Sequence, residues 1–229
     1  MIDSETKILG RIRMNHDLKK QEAKDLLDEM FAKRGYLLPY HRLLGESDPT
    51  LLRTYDSLYT RLTLDERVLT MKEREVVWIA LIAITREKYA FFHFDRGVKA
   101  GMTNEEISDS AAIGAACESF DTIDLSHSAF DKWISKNAAL ERYCSIFDAA
   151  RGGLPKAIAE VAGVVCQASR RSASGMRVHL VRAFEYGATR EQIAEGLSYV
   201  LLHRGGPTMI DASRTWDEAA SELGIPGPF

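Results

Sequence analysis

Apolar residues recur at helical spacing along most of the chain, and polar caps mark where the helices begin. Asp48-Pro49 couples an N-cap carboxylate to a proline at the first helical position, where a missing N–H costs nothing. It opens a helix through Leu51, Tyr55, Leu58 and Leu62. Thr70-Met-Lys-Glu73 is a capping box, whose hydroxyl and carboxylate each satisfy an orphan N–H. The run VVWIALIAI that follows is apolar on every face. Its β-branched residues also suit a strand, but the cap and the length from Met71 to Thr85 favour a buried helix. A further helix is expected over Glu87 to Ala100, closed by Gly101, and another from the capping box Thr103-Asn-Glu-Glu106 to about Ala116.

The second half repeats the style. Gly152-Gly153-Leu154-Pro155 breaks the chain, and helices are expected from Pro155 to about Ser169 and up to Gly187. Thr189-Arg-Glu-Gln192 caps the next, Gly205-Gly206-Pro207 is expected to stop it, and a last helix holds Trp216 to about Leu223. No stretch alternates at period two long enough for a sheet, so the expected class is all-α.

Sliding the sequence by 86 places HFDRGVKAGMTNEEI (93–107) on HLVRAFEYGATREQI (179–193), with six of 15 positions identical. Gly101/Gly187 and Thr103/Thr189 are explicable as helix-cap chemistry, but His93/His179 and Arg96/Arg182 are not. Upstream, Glu75 and Glu160 correspond with one residue of gap in the intervening turn. The organisation read from this is an N-terminal helical segment (1–54) followed by two copies of one helical unit, 55–130 and 140–225.

Composition narrows the function. Lys plus Arg is 30 against 33 Asp plus Glu, a net charge of -3, which gives no general attraction for nucleic acid or anionic lipid. No apolar run is long enough to span a membrane, and the opening residues lack the apolar stretch of a secretory signal. Three cysteines without short pairing, Cys117, Cys144 and Cys166, read as reduced thiols. The expectation is a soluble, cytoplasmic protein that engages neither nucleic acid nor membrane. No H-x-x-x-H, HExxH or Asp-rich spacing points to a metal, and no cofactor is expected.

The pattern H-x-x-x-[AG]-x-x-x-G-x-T-x-x-[EQ]-I, behind a buried helix carrying a Glu, resembles the carboxymuconolactone decarboxylase family and its alkylhydroperoxidase relatives. It is closest in HLVRAFEYGATREQIAEGL followed by HRGGP. The resemblance implies a duplicated all-helical bundle and a ring-forming homo-oligomer, with a trimer favoured. Peroxidase relatives carry C-x-x-C seven and four residues before the His. Those positions are Arg86 and Tyr89 in the first copy and Ser172 and Gly175 in the second, and Cys166 stands on the wrong helix spacing, so a disulfide peroxidase is not expected.

The resemblance also sets the expected chemistry, a cofactor-independent lyase acting on a small carboxylated or lactone substrate. His179 is a candidate general acid or base, with a pKa near working pH, and Glu160 lies 19 residues upstream. About a turn near Arg171 the two differ in height by roughly 4–5 Å, so their side chains can meet. Glu75 and His93 repeat the arrangement. Arg182 shares a face with His179 and is the candidate anchor for a substrate carboxylate, with Tyr89 and Arg204 as further substrate contacts. His203, replacing the Tyr of a Tyr-x-Gly-x-Pro segment, is a second titratable candidate. The second copy, which keeps HRGGP, is the expected working site. Two other readings stand beside it: a catalytically silent scaffold that binds a small molecule, and a hydrolase or isomerase using the same His–Glu pair.

Overall fold

A computed structural model describes residues 2–229, with side chains from Leu18 onward. The side chains of the opening stretch read for a secretory signal therefore lie outside the described residues. Among the described residues every regular element is a helix, in line with the all-α expectation. None of these helices is long and apolar enough to cross a membrane. The chain divides into two compact units between Asp65 and Glu66.

The first unit holds α1 (Ile2–Arg34), α2 (Pro39–Ser47) and α3 (Pro49–Thr63). Asp48 caps α3 as its sequence predicts, its carboxylate accepting from the Leu51 N–H at 3.0 Å. Leu26, Met30 and Leu52 form a small core. Beside it the Arg34 guanidinium pairs with Asp56 and lies 4.0 Å from the centre of the Tyr59 ring.

The second unit carries α4 (Met71–Thr85), α5 (Phe92–Lys99), α6 (Asn104–Glu118), α7 (Phe120–Ala129), α8 (Lys136–Ala150), α9 (Lys156–Arg170), α10 (Ala173–Glu185), α11 (Arg190–Ser198) and α12 (Val200–Leu223). The corresponding helices of the two copies, α4 and α9, pack on each other at its centre, with α6 against α4 and α10 against α9. Every residue from Arg74 to Ile82 is buried, and every residue from Ile158 to Ser169. That is why α4 is apolar all round after Glu75, whereas α9 keeps Glu160 and Gln167 on one buried stripe. One continuous core spans both copies, so neither buries its apolar surface alone.

Both central helices end on an arginine in the left-handed region, Arg86 at φ 57° and Arg171 at φ 60°. Such a conformation costs a non-glycine residue about 1–2 kcal/mol, and here it turns each Glu-bearing helix sharply toward the segment that bears its His. The turns then differ. The first copy does not form the helix expected from Glu87. The Glu87 carboxylate accepts from the Tyr89 N–H at 2.8 Å, holding residues 87–91 in a turn, and α5 starts only at Phe92. In the second copy α10 starts at Ala173.

Gly205-Gly206-Pro207 breaks the helical path as its sequence predicts, dividing α12 into two helices. Gly205 sits at φ 74°, ψ -176° inside α12, a backbone only glycine adopts readily. Pro207 has no N–H to give the carbonyl four residues back, at His203. The helix resumes beyond the kink and runs to Leu223.

Candidate functional site

Each copy builds a buried Glu–His pair across its central turn. In the first, the Glu75 carboxylate accepts from His93 Nδ1 at 2.7 Å. In the second, Glu160 accepts from His179 Nδ1 at the same 2.7 Å. Glu75, Glu160 and His179 have no exposed surface and His93 has 2%. In both copies the carboxylate fixes Nδ1 as the protonated nitrogen and leaves Nε2 to face other groups. What faces Nε2 separates the copies.

The first copy surrounds its histidine with rings and cations. Trp78 stacks on His93 with centroids 4.7 Å apart, stacks on Tyr199 at 4.7 Å, and meets His203 at 5.4 Å. Arg74 Nε donates to Glu75 Oε1 at 3.1 Å. Burial holds the His93 imidazole below its ordinary range, and Arg96 and Arg74 add to that effect against the attraction of Glu75. His203 is lowered to about 4, by burial first and then by His93. Both rings are neutral bases at pH 7. Among the described residues, Nε1 of Trp78 and both ring nitrogens of His203 are buried without a hydrogen-bond partner.

The second copy has satisfied its histidine from every side. Tyr143 OH on α8 lies 2.6 Å from His179 Nε2, and Cys117 Sγ on α6 lies 4.0 Å from it. Gln167 Nε2 donates to Tyr143 OH and to the Cys117 carbonyl, both at 3.1 Å. Burial pushes the His179 imidazolium down, but hydrogen bonding and charge from Cys117 and Glu160 outweigh it and bring it to about 9. The ring is a sealed cation at pH 7. Gly163 makes room for it, since a Cβ there would sit 2.5 Å from Nδ1.

The remaining candidates fall in different places. Arg182 Nε donates to Glu160 Oε1 at 2.6 Å and its Nη2 donates to Asp148 at 2.7 Å, so its guanidinium closes an internal network. Tyr89 is 65% exposed in the 87–91 turn, and Arg204 is exposed at the kink of α12. Sequence reasoning did not assign roles to Trp78, Tyr143, Cys117, Cys166 or Gln167. Helical periodicity marks these as interior without saying which histidine each one meets. Among the described residues, no three His, Cys, Asp or Glu side chains are grouped as a metal ion requires.

Comparison with known proteins bears on this site. The sequence model described as "Carboxymuconolactone decarboxylase family" matches residues 49–124 and again 137–218. No curated protein and no solved structure matches the chain.

Proposed function

The chain belongs to the carboxymuconolactone decarboxylase family as a tandem pair of its units, and from that premise we propose a cofactor-independent lyase. Its substrate is a small carboxylated or lactone compound, and proton transfer takes place at the first copy. The supporting observation is the trio of orphaned polar atoms around Trp78 and His203, beside a neutral His93 oriented by Glu75. Each buried polar group without a partner costs about 1–3 kcal/mol, and a substrate carboxylate or carbonyl supplies the acceptors that the Trp78 N–H and the His203 N–H lack. Arg182, already held by Glu160 and Asp148, has no part in this reading.

In the decarboxylating direction the bond between the substrate carbon and its carboxylate breaks and CO₂ leaves. The electron pair moves onto the substrate's own carbonyl. The enolate carbon then takes a proton that the His93–His203 pair draws from water. Glu75 holds Nδ1–H of His93, so Nε2 is the nitrogen that accepts and returns the proton.

Large exposed apolar side chains, among them Tyr89, Phe91, Trp133 and Ile210, support a homo-oligomer, with a trimer favoured. Light scattering at micromolar concentration tests this, and a monomer there counts against it.

The activity is tested by incubating the protein in D₂O with carboxylated lactones and β-keto acids. NMR then follows deuterium entering the carbon next to the carbonyl. Incorporation that disappears in His93→Ala and survives chelators supports the lyase. No incorporation from any substrate favours the silent scaffold, for which the sealed His179 is already an example.

A further inference from the structure

We propose that Glu195, carried by the second copy, is a positioning residue for the proton-transfer site of the first. Its carboxylate ties the entry of α4 to the hydroxyl of Tyr199, and so fixes Trp78 against His93. The effect on turnover rests on the lyase reading above, whereas the effect on the rings stands without it. Both oxygens of Glu195 are engaged. Oε2 accepts from the Val68 and Leu69 N–H groups at 2.6 and 3.0 Å, and Oε1 accepts from Tyr199 OH at 2.7 Å. Arg67 Nε lies 3.5 Å from Oε1. A buried carboxylate occupied in this way acts through its partners rather than on substrate.

Two routes lead from Glu195 to His93. Val68 and Leu69 lie just before Thr70, the cap of α4, so the two backbone bonds set where that helix begins. Glu75 and Trp78 stand three residues apart on α4 and share a face. The start of α4 therefore places together the carboxylate that holds His93 and the indole that stacks on it. From the other side, Tyr199 stacks on Trp78 with centroids 4.7 Å apart and planes 20° from parallel. Trp78 in turn stacks on His93 at 4.7 Å and 25°. Burial and the bond to Glu195 push the Tyr199 hydroxyl up, so it stays a donor. The outer ring of the stack cannot slide without breaking that bond.

The duplication shows what is special to the first copy. Asp109 is the counterpart of Glu195 in the 86-residue register. Gly153 is the counterpart of Val68 in the 85-residue register that relates Glu75 to Glu160. Asp109 accepts from the Gly153 N–H at 3.1 Å. Each copy therefore holds the entry of the other copy's Glu-bearing helix. Beyond the loops the exchange is unequal. The counterparts of Tyr199 and Trp78 are Ile113, which has no hydroxyl, and Gly163, where a Cβ would already meet the His179 ring. Asp109 thus has no such stack to hold, and Glu195, longer by one methylene, reaches loop and tyrosine together.

The test compares Tyr199→Phe, which removes the hydroxyl and keeps the ring, with Glu195→Gln and with Asp109→Asn, the matched change in the other copy. NMR follows deuterium exchange at the Trp78 indole N–H, with the Trp216 N–H, which donates to the Pro226 carbonyl at 2.8 Å, as internal reference. It also follows the His93 ring protons, which the stacked indole shifts upfield. In Tyr199→Phe and Glu195→Gln the Trp78 N–H is expected to exchange at least about fivefold faster relative to Trp216, and the His93 shift to shrink. Asp109→Asn leaves both at wild type, because a loss of stability alone speeds the two indoles alike. With a carboxylated lactone or β-keto acid that the wild type turns over, kcat per folded molecule falls about tenfold in both Tyr199→Phe and Glu195→Gln, and KM changes less than about twofold. If none is turned over, the lyase reading fails and the ring signals decide the role of Glu195; if Glu195→Gln does not fold, Tyr199→Phe decides it. The proposal is overturned if the exchange ratio or the His93 shift stays at wild type in Tyr199→Phe, if Asp109→Asn changes them as much, or if kcat is unchanged where the ring signals move.

Discussion

The two copies share a Glu–His pair of the same 2.7 Å length and the same near-complete burial, yet their histidines titrate in opposite directions. The carboxylate is common to both and does not explain the difference. In the first copy the other charges near the ring are Arg96 and Arg74, which oppose protonation. In the second, Cys117 adds negative charge to that of Glu160. Duplication preserved the dyad, while residues outside the repeated motif set its protonation state. The first copy thus holds a neutral ring among unpartnered polar atoms, and the second a charged ring enclosed by its hydrogen bonds.

The largest test of that division is catalytic. His93→Ala is expected to lower deuterium exchange by roughly 10²–10⁴-fold, whereas His179→Ala leaves the rate per folded molecule close to wild type. The opposite ranking moves the chemistry to the second copy. Replacing Cys117, Cys144 and Cys166 together is expected to leave that exchange largely intact, and a loss with unchanged folding makes a thiol part of the reaction.

Next in size is the network under His179. Glu160→Ala removes the acceptor shared by His179 and Arg182 and leaves two cations facing each other without it. Urea unfolding is expected to show a loss of about 3–5 kcal/mol. A loss under 1 kcal/mol means the network relaxes into solvent. Gly163→Ala comes third, at about 1–3 kcal/mol, because the new methyl meets the His179 ring rather than a flexible side chain.

The pH dependence sharpens the comparison further. His179 is raised from 6.5 to about 9, so its contribution is complete below pH 6.5 and is lost as pH rises through about 9. His203 is lowered from 6.5 to about 4, so its contribution is complete above pH 6.5 and is lost as pH falls toward about 4. Cys117, which burial raises but hydrogen bonding and the charge of His179 bring down from 9.0 to about 6, gains with rising pH what His179 loses, so the pair leaves no alkaline flank of its own. Chemical denaturation is expected to show the acid flank of His203, which flattens in His203→Gln, and an acid flank unchanged in that variant counts against the assignment. The smallest effect expected is Arg177→Ala, within about 0.5 kcal/mol, since its bonds to Glu218 and Glu222 are surface ion pairs.

Much of this fold is legible in the residues. Thr70, Thr103 and Thr189 each accept at a helix start where the capping boxes place them. The turn after Glu87 was less legible, because a local side-chain bond from Glu87 competes with helix at a position where periodicity favours helix. By contrast, Gly205-Gly206-Pro207 reads as a break and is one, with a second helix beyond it that buries Thr208, Ala212 and Trp216.

The sequence by itself determined the duplicated helices and both Glu–His pairs, because caps, periodicity and a two-helix turn are local and their geometry follows from spacing along one chain segment. Only the tertiary structure decided what each pair meets. His203 reaches Trp78 of the other copy, and Tyr143 and Cys117 reach His179 and one another from two different helices. Those meetings depend on which apolar faces pack together, and a buried side chain's charge depends on every neighbour within a few ångströms rather than on its neighbours in sequence.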